Sequence, residues 1–197
     1  MVCCKLCRRV RYMSTFTETT SEFRGLFLLA EQSPRRETTD MTTFIIFGAK
    51  YLVVFVALGA ATLLVRLPRE QQKLYIKRAV IAGILALVLT KLAGVLYFDP
   101  RPFTHGATAL IPHAPDNGFP SDHTVLSFLA ALLALTVSKR VGGILLLLSG
   151  IVALCRVLSG IHTLLDVIAA TVISCVSVAL ALRLFVDSNP ATRQERV

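Results

Sequence analysis

An all-α, polytopic transmembrane bundle of about five spanning helices is what this sequence predicts, and three observations carry the prediction. Hydrophobic residues make up 54% of the 197 and charged residues 17%, with a mean hydropathy of +0.67, whereas an ordinary soluble domain is about 25% charged. Several apolar runs approach the roughly 20 residues a helix needs to cross about 30 Å of hydrocarbon. Alternating segments of about ten residues, the mark of a membrane barrel, are absent.

Residues 1–40 read as a polar tail, with seven Lys and Arg and five Asp and Glu. The run LFLLA within it is too brief to span, and the order of charge, apolar stretch and cleavage site that marks a secretory signal is missing. Met41 stands immediately before the first long apolar run, so the expectation is a native start at Met41, with the tail non-native or disordered. Five cysteines do not form a disulfide framework: Cys155 and Cys175 lie in apolar runs, and Cys3, Cys4 and Cys7 lack an evident fourth metal ligand.

A membrane domain is expected over residues 41–188, followed by a cytoplasmic tail at 189–197. The five runs are Thr43 to Leu67, Ala79 to Phe98, Thr124 to Ser138, Gly142 to Leu158 and Leu164 to Val186. Between them, "PREQQKLYIKR" and "SKRVGG" share one face with the carboxyl end, and the segments 99–123 and 159–163 share the other. The first face carries Arg66, Arg69, Lys73, Lys77, Arg78, Lys139, Arg140, Arg183, Arg193 and Arg196, against chiefly Arg101 and Arg156 on the second. The basic face is therefore expected in the cytoplasm. A net charge of +9 distributed in this way reads as membrane topology and lipid-headgroup contact rather than nucleic-acid binding.

All four histidines fall on the second face or in its loops, beside Arg101, Arg156, Asp116, Asp122 and Asp166. Ionisable groups at the ends of apolar helices need a partner or a function. Arg101, held between Pro100 and Pro102, offers a planar fork suited to phosphate oxygens, or a headgroup anchor. Ser121 and His123 follow Pro120 at a helix start, where backbone N–H groups favour an anion and a serine also caps. His162 and Asp166 are four apart and share a helical face, so the carboxylate can hold one ring nitrogen and leave the other for attack; a structural hydrogen bond is the plainer alternative. Asp99, His105, His113, Asp116 and Asn117 read as solvated loop chemistry before they read as walls of a pyrophosphate pocket, and Lys50 as a snorkelling side chain.

Taken together, Lys91, the Arg-Pro pair at 101–102, "PSDH" at 120–123, and Arg156 with His162 and Asp166 resemble the signature of the type-2 phosphatidic acid phosphatase superfamily. The wording "DPRPF", "FPSDHT" and "GIHTLLDV" is most similar to its bacterial undecaprenyl-diphosphate phosphatases. The resemblance implies a metal-independent membrane phosphatase without cofactor. In it His162 attacks phosphorus, Asp166 orients the ring and His123 protonates the leaving group. Arg101, Arg156, Ser121, Asp122 and Lys91 would form the phosphate-binding set. It further implies a lipid diphosphate as substrate, membrane lipids as surroundings, no nucleic acid and no obligate protein partner, in the bacterial inner membrane with an extracytoplasmic site. Three departures accompany the match: Asp122 replaces a usual glycine, Cys155 replaces a usual serine that contacts phosphate, and Lys91 lies farther upstream of Arg101 than the family's spacing. Two alternatives stand beside this reading: a phosphatase of phosphatidylglycerophosphate, phosphatidic acid or lipid A, and a transporter or sensor binding a divalent metal through the His and Asp residues.

Overall fold

The computed structural model describes residues 35–185. The cysteines at 3, 4 and 7, the polar tail up to residue 34 and the carboxyl tail at 189–197 lie outside the described residues. Six helices follow in order: α1 Arg35–Lys50, α2 Leu52–Arg66, α3 Arg69–Leu96, α4 Asp122–Leu135, α5 Lys139–Leu158 and α6 Leu164–Leu184, with a single 3₁₀ turn at Pro102–His105. The helices from Phe44 onward form one compact unit.

The first predicted span is two helices. At Tyr51 the backbone N–H of Val54 bonds a carbonyl three residues back instead of four, at 3.0 Å, and the axes on either side differ by 47°. The second helix starts ten residues before the predicted Ala79. "PREQQKLYIKR" is not a loop, because after Pro68 nothing in it breaks a helix. At 28 residues α3 is about 42 Å long, more than the hydrocarbon thickness, so its basic first turns extend beyond the apolar layer. Gln72 donates to the carbonyls of Val65 at 3.2 Å and Leu67 at 2.9 Å, which satisfies the end of α2.

Helix α4 is central and packs against α2, α3, α5 and α6. Its 14 residues reach only about 21 Å, so this predicted span is too short to cross hydrocarbon as helix alone. By length and composition α3, α5 and α6 can cross, and the bent pair α1–α2 makes a fourth. Pro120 and Ser121 set the start of α4, and a tight turn into α5 sets its end: a Cβ at Gly142 would collide with the Leu135 backbone.

Small residues let the helices approach closely. Ala82, Ala86, Val125, Leu129, Leu133, Ala170, Val178 and Ala181 knit α3, α4 and α6, and Val56, Ala60, Ala131, Ala134 and Leu145 knit α2, α4 and α5. A third cluster of Ala49, Ile111, Cys155 and Ile161 lies under the loop that joins α3 to α4. The outer surfaces keep their large apolar side chains exposed, as in Leu87, Val95, Leu147 and Leu184, which is the surface a lipid solvent requires.

Candidate active site

The polar end is built on two connections, the loop from Tyr97 to Ser121 and the turn Ser159–Thr163. Gly160 opens the turn with φ +72, and a side chain there would also press on the Thr108 carbonyl, since its Cβ would come within 2.5 Å. Two residues later His162 is 3% exposed, between α5 and α6.

His162 has a partner on each ring nitrogen. Its Nδ1 lies 3.1 Å from Asp166 Oδ2 and its Nε2 lies 2.8 Å from Arg156 Nη2. A guanidinium only donates, so Nε2 must be the lone-pair nitrogen and Nδ1 the one that carries hydrogen, donated to the carboxylate. The imidazole is thus neutral, oriented, and aimed at the arginine. Burial lowers its pKa below the ordinary 6.5, and Arg156 and Arg101 add to that, against the opposing bond from Asp166.

Asp166 is held from the start of α6. Its Oδ2 also accepts the Thr163 backbone N–H at 2.8 Å, and Thr163 Oγ1 accepts the Asp166 N–H at 3.2 Å, forming a reciprocal capping box. The same face receives Gly118: a Cβ there would stand 3.1 Å from Asp166 Oδ2.

Arg101 is 6% exposed. Its Nε donates to Asp116 Oδ1 at 2.6 Å and its Nη1 to the Ile161 carbonyl at 2.9 Å. With these edges occupied, Nη2 is the guanidinium nitrogen without a hydrogen bond among the described residues. The bond from Arg101 holds the Asp116 carboxyl below the usual carboxylate range. Arg156 donates through Nη1 to the Ala49 carbonyl at 3.4 Å, and its buried Nε has no partner among the described residues.

Ser121 is fully buried at the N-cap of α4, where it makes no side-chain cap bond and accepts from Thr124 Oγ1 at 3.1 Å, while its backbone N–H reaches the Asp166 carbonyl at 3.4 Å. One turn of helix therefore presents a hydroxyl and backbone donors to the same centre. His123 stands in the first turn of α4, within electrostatic range of Arg156, His162 and Asp122, and Asp122 beside it is exposed. Among the described residues, no group of three His, Cys, Asp or Glu side chains is arranged to hold a metal ion.

Lys91 does not join this cluster. It lies exposed on α3 in the same stripe as Ile84, Leu87, Val88, Leu92 and Val95, all exposed, a face suited to lipid and not to the phosphate-binding set in which the resemblance places it. Cys155 is also turned from the site: a Cβ at Gly48 would lie 2.5 Å from its Sγ, so the thiol fills the contact between α1 and α5.

The loop residues read as solvated are for the most part structural. Asn117 Oδ1 accepts from the N–H groups of Asp99 and Phe119, both at 3.0 Å, while its Nδ2 donates to the carbonyls of Gly94 at 2.9 Å and Tyr97 at 3.0 Å. One amide therefore ties the end of α3 to the loop that delivers Arg101. Thr163 was overlooked, although its Thr-x-x-Asp spacing to Asp166 is a helix-start signature in the sequence. No local signal marks Asp116 as the partner of Arg101, 15 residues away. His105 remains exposed, 3.2 Å from the Thr104 hydroxyl.

Comparison with known proteins identifies the family. The PAP2 superfamily matches residues 75–190. The chain is 34% identical over 145 residues to the bacitracin transport permease protein BcrC of Bacillus licheniformis, covering 72% of this chain and 70% of that protein. It is 30% identical over 137 residues to the undecaprenyl-diphosphatase BcrC of Bacillus subtilis, covering 69% and 70%. Among solved structures, Aquifex aeolicus LpxE superposes with a TM-score of 0.59 at 24% identity, over 81% of this chain and 93% of that one, a likeness of fold. A family match over more than half the chain, together with these relatives, makes this chain a member of the PAP2 superfamily and a membrane lipid phosphate hydrolase.

Proposed function

We propose that the chain hydrolyses a polyprenyl diphosphate, undecaprenyl diphosphate, to the monophosphate and inorganic phosphate through a phosphohistidine. The observation that carries the reading is the double engagement of His162, with Asp166 on Nδ1 at 3.1 Å and Arg156 on Nε2 at 2.8 Å. When a terminal phosphate enters, its oxygens take the donors of Arg156, Arg101 and Ser121. The Nε2 lone pair, released from Arg156, attacks phosphorus while the bridging P–O bond breaks and the lipid monophosphate departs, with His123 supplying a proton to the leaving oxygen. Water then attacks the phosphohistidine, His123 accepts its proton, and the P–N bond breaks to free phosphate.

Each part answers a physical need. A phosphate anion repels nucleophiles, and the two guanidiniums neutralise its oxygens as charge moves to the leaving group. Asp122, exposed next to His123, adds a negative charge within electrostatic range of that imidazole. Apolar helix faces below the rim accommodate the polyprenyl chain. The relative from Bacillus subtilis, an undecaprenyl-diphosphatase by name, supports this choice of lipid. The distribution of Lys and Arg supports a bacterial inner membrane with the site on the extracytoplasmic side.

Purified enzyme assayed for phosphate release with undecaprenyl diphosphate, phosphatidylglycerophosphate, phosphatidic acid and a lipid A phosphate, all in EDTA, tests the reading. The highest kcat/KM is expected on the polyprenyl diphosphate, with activity retained in chelator and lost to vanadate. Preference for a glycerolipid would reassign the substrate, and loss of activity in EDTA would overturn the metal-independent mechanism.

A further inference from the structure

Asp99 is placed differently from the other acids of the rim. It does not face an arginine: its Oδ2 accepts a 2.8 Å hydrogen bond from Thr163 Oγ1, a contact between residues 64 apart in sequence. Thr163 is the residue whose hydroxyl accepts from the Asp166 N–H and whose own N–H donates to Asp166 Oδ2. That oxygen is the one that holds His162 Nδ1.

A threonine hydroxyl has one proton and a rotor that is otherwise free. Committing the proton to Asp99 leaves the lone pairs to face the Asp166 N–H, the geometry the capping box needs. Asp99 is itself fixed by backbone bonds on both sides, its N–H to Asn117 Oδ1 at 3.0 Å and its carbonyl to the Gly118 N–H at 2.9 Å. Two residues further along the chain stands Arg101. The end of α3 and the start of α6 are thereby joined by a chain of hydrogen bonds that begins at the backbone carrying Arg101 and ends at the ring of His162.

We infer that Asp99 is a positioning residue for the nucleophile: through the Thr163 hydroxyl it fixes the start of α6, where the Thr163 N–H holds the Asp166 carboxylate, and through its own backbone it sets the register of Arg101 against His162. This rests on the reading of His162 as the nucleophile. Asp99 touches no reacting atom, so its removal alters how well the ring is aimed and leaves intact the groups that bind phosphate. The consequence belongs to kcat, not to KM.

The test is a double-mutant cycle in the full-length enzyme, with Asp99→Ala, Thr163→Val and the pair, and with Thr163→Ser and His162→Ala as companions. Steady-state kinetics on a lipid diphosphate are read together with the thermal unfolding midpoint of each variant. Asp99→Ala and Thr163→Val are each expected to lower kcat by about tenfold with KM within about twofold. The pair should be no worse than either single change, and Thr163→Ser, which keeps the hydroxyl, should hold wild-type kcat. Should a single change unfold the protein, the comparison of Thr163→Ser with Thr163→Ala carries the same test. Losses that multiply in the pair, a rise in KM at constant kcat, or an inactive Thr163→Ser of normal stability would overturn the role of Asp99. If His162→Ala is inactive and the Asp99 variant is fully active, the positioning role falls and the nucleophile stands. If His162→Ala still turns over, both fall.

Discussion

The rim and the body of this bundle both bury polar side chains, and they satisfy them in opposite ways. In the body, hydroxyls bond the carbonyl one turn earlier in their own helix: Ser149 to Leu145 at 2.8 Å, half-buried Thr171 to Val167 at 2.8 Å, and Ser174 to Ala170 at 2.8 Å, the last also reaching the Val125 carbonyl of α4 at 3.0 Å. At the rim the partners are distant in sequence: Arg101 and Ile161 are 60 residues apart, Asp99 and Thr163 are 64, Arg156 and Ala49 are 107. A hydroxyl that bonds its own helix is satisfied before the helices pack. A guanidinium that needs two loops and a helix end is satisfied only once they have met, and losing one member strands the others. Body substitutions should therefore act locally, whereas rim substitutions should spread.

The sharpest way to break this contrast is at the centre of the rim. His162→Ala should lower turnover by more than about 10⁴-fold and abolish acid-labile phosphoenzyme labelling. Surviving label would remove the nucleophile from this position.

Asp166→Asn comes next, with a loss of about 10²- to 10⁴-fold in kcat, because an amide no longer imposes the tautomer that leaves Nε2 free. It also tests the sign of the pH dependence. The pKa of His162 is depressed below 6.5, chiefly by burial, and Asp166 opposes that depression. The neutral nucleophile therefore persists as pH falls through 6.5, and the acidic limb of kcat/KM, corrected for titration of the substrate phosphate, lies below that value. Removing the carboxylate should move the limb to lower pH still. A limb that stays in place would assign it to another group.

Arg101→Lys should cost about 10²-fold in kcat/KM. An ammonium cannot at once hold the Ile161 carbonyl, pair with Asp116 and present a donor to phosphate. Undiminished kcat/KM would reduce Arg101 to a headgroup anchor.

At the small end, Lys91→Ala should leave kcat/KM within about twofold, as expected of a side chain on the exposed stripe of α3, and Ser149→Ala should leave kcat unchanged and alter stability by about 0.6 kcal/mol or less. A large loss for Lys91→Ala would place its ammonium in the phosphate shell after all, and a large loss for Ser149→Ala would erase the distinction between body and rim.

Much of this was legible in the sequence because it depends on short-range periodicity. The four-residue spacing of His162 and Asp166 anticipated their 3.1 Å contact, although His162 stands in the turn before α6 and not on a helical face, and the apolar runs located the helices to within a few residues, except where α1 began at Arg35, where α3 ran on through "PREQQKLYIKR" and where Tyr51 divided the first run. The failures have a common cause. Lys91 enters the phosphate-binding set by resemblance alone, but the direction in which its turn faces is decided by what packs on the other side of the helix. Asp99, Asp116 and Asn117 looked like solvent-facing loop residues because their partners lie in other segments, and no pattern within the loop records them.

By itself, then, the amino-acid order determined the membrane-helical class, the candidates for the reacting groups and their arrangement within each helix, since side-chain direction repeats over three or four residues and hydropathy follows lipid exposure. Only the tertiary structure decided that Arg156 meets the far nitrogen of His162, that Asp116 takes one edge of Arg101, and that Thr163 joins Asp99 to Asp166. Those pairings are set when α4 is surrounded by its neighbours and the two loops are brought together over its first turn, an event of packing that no local stretch of the chain encodes.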